Sequence, residues 1–120
     1  MAIEFQISKR KVDDATSVVA VSGEIDLFTA PEFKQCVSGE IDAGVSHVIV
    51  DLSTTTFIDS SSLGVLIGAH RRLKLRGGAL TVVCDNDAIV KTFRITGLDG
   101  VFTLVASIDD ALNGDAVGTG

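Results

Sequence analysis

Between residues 3 and 8 apolar and polar side chains alternate, the period-two pattern of a half-buried strand. Residues 17–21 form a β-branched run that reads as a second strand, and Asp13, Asp14, Ala15 and Thr16 between the two suit a hairpin turn. The period then lengthens. Phe33, Cys36, Val37 and Ile41 fall on one face at helical spacing and predict a helix over residues 30–41. Its start carries Thr29 as a cap, Pro31 in the first turn and Glu32 at capping-box spacing. Residues 45–50 are short and apolar at their end, as expected of a strand buried on both faces, so helices should cover the sheet.

Asp59, Ser60, Ser61 and Ser62 precede an apolar stretch from Leu63 that turns basic at His70, Arg71, Arg72 and Lys74 and stops at Gly77 and Gly78. This predicts a second helix with cations at its negative end. Gly64 and Gly68 are expected to let that helix pack closely on the sheet. Residues 79–84 read as a strand, Asp85, Asn86 and Asp87 as a cap, and residues 88–95 as a short helix. A strand over 101–105 and a last helix behind Ser107, carrying Ala111 and Leu112, complete the pattern. The order ββαβαβαβα implies an α/β fold with a mixed, largely parallel sheet of about five strands and about four helices. It forms one domain over residues 1–112, followed by a glycine-rich segment, 113–120, expected to be a flexible tail.

A chain of 120 residues with 46% apolar and 22% charged side chains has enough core to fold without metals or disulfides. Ten basic against 16 acidic residues leave a net charge of −6, which argues against nonspecific binding to nucleic acid or to an anionic membrane face. No apolar run approaches the ~20 residues of a membrane helix, and the N-terminus lacks a secretory pattern, so a cytoplasmic location is expected. Cys36 and Cys84 lie far apart without zinc-ligand spacing and read as buried thiols, and His47 and His70 as solitary surface or packing residues.

Neither a dinucleotide fingerprint nor a P-loop occurs, and no Gly-x-Ser-x-Gly elbow supports a hydrolase. No cofactor is called for, and the acidic pair Asp26 and Asp59 is better read as a solvated rim than as an acid/base couple. The run Ser60, Ser61, Ser62 is open to two readings: simple helix capping, or a phosphate acceptor placed where a helix start can hold a phosphoryl group. A receiver-domain reading with Asp51 as acceptor lacks the acidic pair that would hold Mg²⁺, since Ser8, Lys9, Arg10 and Lys11 follow the first strand. Asp51 reads instead as a turn residue at a strand end.

Two motifs resemble those of STAS domains, and within them the stand-alone bacterial anti-sigma factor antagonists. One is Ser22-Gly23-Glu24-Ile25-Asp26 with Thr29 and Ala30; the other runs from Phe57 through Asp59, Ser60, Ser61, Ser62, Leu63 and Gly64 to Leu66. The similarity spans about residues 3 to 112. The resemblance implies a STAS fold and a protein without enzymatic activity of its own, phosphorylated on Ser60 by an anti-sigma factor that is a serine kinase of the GHKL ATPase type. Unphosphorylated, such a domain binds the anti-sigma factor and frees the sigma factor; phosphorylation releases it, and a PP2C-type phosphatase restores binding. Asp26, Thr29, Asp59, Ser61, Ser62 and Gly64 are then expected at the partner surface, with Ser61 and Ser62 as alternative acceptors. Serine at position 62 departs from the glycine of the common motif; its small side chain suits a helix start and bears on docking geometry. The alternative from another class is an unphosphorylated STAS scaffold in a signalling or membrane-transport assembly, with a nucleotide-binding enzyme ranking below both.

Overall fold

A computed structural model describes residues 4–113. Strand β1 (Gln6–Lys11) pairs antiparallel with β2 (Thr16–Ile25), and β3 (His47–Ile58), β4 (Ala79–Val83) and β5 (Thr103–Val105) follow in parallel, giving the sheet order β1-β2-β3-β4-β5. Helices α1 (Ala30–Asp42), α2 (Ser60–Leu75) and α3 (Asp87–Ile95) connect the parallel strands, and α4 (Ile108–Leu112) follows β5. The ββαβαβαβα order is the expected one, and the mixed α/β architecture with five strands and four helices is observed.

Strands laid side by side in chain order, joined by crossovers of one hand, place every crossover helix on the same face. Accordingly Phe33 and Val37 of α1, Leu66 and Leu73 of α2, and Ile89 and Phe93 of α3 share one core with Val19, Val50 and Val82. Phe33 and Phe93 are fully buried, each worth about 1.5–3 kcal/mol relative to exposure. Helix α4 is no crossover, and it packs on the other face, where Ile108 and Ala111 meet Val18, Ile49, Val83 and Val105. That face is only partly covered, contrary to the expectation of helices over both faces: Gln6 and Ser8 of β1 remain exposed.

Several boundaries shift. Of the strand expected over residues 3–8, residue 3 lies outside the described residues; the first strand starts at Gln6 and runs on to Lys11, because its pairing with β2 continues to Lys11↔Ser17. Strand β3 extends eight residues past Val50 to Ile58, through Ser53, Thr54, Thr55 and Thr56. Asp51 therefore lies inside a strand, at the last register shared with β4 (Asp51↔Val83), and its carboxylate accepts from the Ser53 amide at 2.9 Å. Val101 falls outside β5, behind a 3₁₀ turn over Leu98–Gly100. Among the described residues no helix is long and apolar enough to cross a membrane. Of the tail expected over 113–120, residues 114–120 lie outside the described residues.

At the far end of α2, Gly78 is needed for close approach: a Cβ there would stand 1.8 Å from the Ser46 carbonyl oxygen. Arg76 donates to the carbonyls of Ile41 and Val45, and Arg72 pairs with Asp42, so the basic end of α2 is spent partly on closing α1. These contacts leave the opposite end of α2 to form the site.

Candidate functional site

Strands β2 and β3 run on together past the end of β4, and their last pair is Ile25↔Ile58. The β2–α1 loop and the start of α2 therefore lie side by side. Reaching that pairing takes two register shifts, opposite Ala20–Ser22 and Gly23–Glu24, at each of which β3 carries one residue more than β2; Gly23, buried at φ 87°, takes the left-handed conformation open to glycine.

In the loop after β2, Asp26 Oδ1 accepts from the amides of Phe28 at 2.9 Å and Thr29 at 3.1 Å. The Thr29 hydroxyl accepts from the Asp26 amide at 2.9 Å and donates to the Glu24 carbonyl at 3.0 Å. Thr29 thus makes no side-chain cap on α1, and the capping box with Glu32 is not formed. Its backbone is already helical (φ −98°, ψ −18°), and its hydroxyl is engaged backward along the loop. Between Asp26 and Thr29, Leu27 and Phe28 point outward, 70% and 89% exposed.

At the start of α2, Asp59 is the N-cap, extended at φ −132° and ψ −171°. Its Oδ1 accepts from the amides of Ser61 at 3.0 Å and Ser62 at 3.3 Å, and from the Ser61 hydroxyl. Capping therefore belongs to Asp59, and the three serines form the first helical turn. The bond from Ser61, helped by the two amides, holds the Asp59 carboxyl below its ordinary value.

The three hydroxyls differ sharply. That of Ser62 accepts from the Asp59 amide at 3.3 Å, completing a capping box, and donates to the Ile25 carbonyl at 2.6 Å. Ser62 is 0% exposed. Its expected place at the partner surface, or as an alternative acceptor, is therefore corrected: the hydroxyl is turned inward and tied to β2. Ser61 is half-buried with its hydroxyl on Asp59. Ser60 is exposed and takes part in none of these bonds.

A phosphoryl group on Ser60 would not find the helix-start donors as open as the sequence suggests, since Asp59 already occupies the amides of Ser61 and Ser62. It would project into solvent beside a carboxylate, changing the charge of the surface more than the fold.

Gly64 and Gly68 are exposed, and a Cβ at either meets nothing within 4 Å. This corrects their expected role in close helix-to-sheet packing. They line a groove between α1 and α2, about 620 Å³, with Lys34, Val37, Ser61 and Arg71. The remaining chemistry lies elsewhere. His47 bonds the Thr81 hydroxyl at 3.0 Å and His70 stacks edge-on against Phe102 at 5.5 Å, both with pKa lowered by burial. Cys84 is buried, but Cys36 is only half-buried, and both are free thiols raised by burial.

The structure sets Asp26 and Thr29, in the β2–α1 loop, beside Asp59, Ser60, Ser61 and Gly64 at the start of α2. Sequence reasoning did not single out Leu27 and Phe28, whose signal is two large apolar residues set in a turn between an aspartate and a threonine.

Residues 6–111 match the family model described as STAS domain. The anti-sigma-B factor antagonist of Listeria monocytogenes is 30% identical over 116 residues, covering 96% of this chain and 98% of that protein. A crystal structure of an anti-sigma factor antagonist from Mycobacterium paratuberculosis superposes with a TM-score of 0.84 at 32% identity, covering 92% of this chain and 93% of that one. The Bacillus cell fate determinant SpoIIAA in its phosphorylated form gives a TM-score of 0.71 at 25% identity, covering 92% and 97%.

Proposed function

Because this chain belongs to the STAS-domain family, we propose that it is an anti-sigma factor antagonist switched by phosphorylation at Ser60. The observation that carries this reading is the contrast within the serine run: Ser60 alone of the three is exposed, at the first position of α2 and outside the hydrogen bonds that hold the cap. A kinase can therefore modify it without dismantling the helix start.

In the unphosphorylated state the surface around Ser60 binds an anti-sigma factor, a serine kinase of the GHKL ATPase type, and the sigma factor is freed. The kinase transfers the γ-phosphoryl of ATP to the Ser60 oxygen, with ADP leaving and the hydroxyl proton lost. Adding about −1.5 to −2 charges beside Asp59 turns a neutral contact into a repulsive one, and the complex separates. A PP2C-type phosphatase hydrolyses the phosphoserine and resets the surface. Catalysis resides in the partners, all acting in the cytoplasm, and this chain contributes a shape and one modifiable oxygen. The relative SpoIIAA, with a known phosphorylated form on the same fold, supports the switch.

The test is a pull-down from lysate of the source organism with wild type, Ser60→Ala and Ser60→Asp, read by mass spectrometry and then by calorimetry on the purified partner. Ser60→Ala is expected to trap a serine kinase, and Ser60→Asp to bind it at least about tenfold more weakly, the effect of losing roughly 1.4 kcal/mol. Equal binding by all three, with no phosphate on Ser60 of the wild type, would overturn the switch and favour an unphosphorylated scaffold.

A further inference from the structure

We propose that Leu27 and Phe28 are the apolar anchor of partner binding, inserting into a hydrophobic pocket of the anti-sigma factor kinase beside its phosphoryl-transfer centre. This rests on the Ser60 reading and adds the side chains that carry the affinity. Phe28 is 89% exposed and Leu27 70%, and Phe57, which pairs with Glu24 at the end of β3, is 46% exposed. Such side chains in a free loop would fold back on the surface. Here they are held out, because Asp26 fixes the amides of Phe28 and Thr29, Thr29 closes back on Glu24, and Ser62 ties the preceding Ile25 carbonyl to α2.

The exposure is therefore built into the backbone, and a loop already ordered loses little entropy when a partner closes on it. Asp26 Oδ1 and the Thr29 hydroxyl, expected as contacts, are engaged by the loop itself, and a partner that reaches this turn meets Leu27 and Phe28 between them. The occupant follows from position. The Ile25↔Ile58 pairing and the Ser62 bond set this loop next to the start of α2, so a kinase whose active centre reaches Ser60 covers it. Large aromatic side chains filling such pockets are the typical source of binding energy at an interface.

The experiment uses the full chain and the source organism's anti-sigma factor kinase, recovered on unphosphorylated wild type and purified. Phe28→Ala is expected to weaken binding by about 30-fold, with Phe28→Trp close to wild type and the melting temperatures of both unchanged, since the side chain is exposed. In the kinase reaction KM for the chain rises while kcat holds, the mark of lost uniform binding. A loss of tenfold or more supports the anchor; a smaller loss, with Leu27→Ala added, overturns it. Sedimentation of the same variants covers a second copy as occupant: self-association abolished by Phe28→Ala, with kinase binding unchanged, also overturns the proposal. Ser60→Asp measured beside them separates the two ideas. If Ser60→Asp binds like wild type while Phe28→Ala does not, the switch fails and the anchor stands; the reverse result leaves the switch and removes the anchor.

Discussion

The β2–α1 loop and the β3–α2 junction are held by the same device and display opposite chemistry. In each, one aspartate oxygen accepts from the amides two and three residues ahead: Asp26 from Phe28 and Thr29, Asp59 from Ser61 and Ser62. What lies in the crook differs. The first turn holds out two apolar side chains; the second holds out a hydroxyl at the first position of a helix. A shared backbone arrangement thus sets the proposed anchor beside the proposed acceptor oxygen, which is the division of labour a binding switch needs. The Ser62 hydroxyl joins the two turns, linking the Asp59 amide to the Ile25 carbonyl.

The largest effect is expected from cutting that link. Ser62→Ala leaves the Ile25 carbonyl and the Asp59 amide without their side-chain partner, and an unsatisfied buried group costs about 1–3 kcal/mol. Denaturant unfolding is expected to show a loss of about 2 kcal/mol, and amide hydrogen exchange a faster rate at Phe28 and Thr29 as well as at Ser61. In a double-mutant cycle with Asp26→Ala the losses should deviate from additivity by more than about 0.5 kcal/mol. Strict additivity, with exchange accelerated in α2 alone, would mean that the two turns are independent.

This coupling was legible in the sequence only in part. The alternation of helical and strand periods gave the layer order, because buried faces demand apolar residues at those periods whatever their identity. The extension of β3 to Ile58 was not readable, since Ser53, Thr54, Thr55 and Thr56 look like a polar loop until bulges in β3 itself turn Leu52, Thr55 and Ile58 inward. The serine run showed that a helix begins nearby but not which oxygen caps it. That depended on Asp59 being extended and on Ile25 lying within reach of Ser62, a contact between residues 37 apart in the chain. Cap spacing alone likewise pointed to the Thr29 hydroxyl, which the fold turns back onto the Glu24 carbonyl, leaving α1 without a side-chain cap. Motif similarity pointed to the candidate site; only packing told its inward serine from its outward one.

A smaller effect separates the two aspartates from each other. Asp59→Ala removes a helix cap and is expected to cost about 1 kcal/mol near neutral pH. The Asp59 carboxyl is held below its ordinary 3.8, chiefly by the Ser61 hydroxyl, so its charged form is favoured in the fold. A depressed folded value means that the stabilisation is complete above the unfolded value and lost as pH falls through the folded one. The stability gap between wild type and Asp59→Ala should therefore stay constant above about pH 5 and close below about pH 4. A gap that persists into stronger acid would assign the cap to the serines and break the parallel with Asp26.

The smallest effect decides how far the displayed surface extends along α2. Gly68 sits in the middle of a helix, where glycine costs about 0.5–1 kcal/mol relative to alanine. Nothing within 4 Å of its Cβ position requires that glycine, and its backbone is not in the left-handed region. Gly68→Ala is therefore expected to stabilise the fold by about 0.5–1 kcal/mol, read as a raised denaturant midpoint with an unchanged slope. The same variant adds a methyl group to the groove that Ser61, Gly64 and Arg71 also line. If kinase binding is unchanged while stability rises, recognition is confined to the two turns and the groove is spare surface. If the stabilised variant binds more weakly, the partner enters the groove, and the contrast between anchor and switch extends to a third contact running down the helix from Ser61.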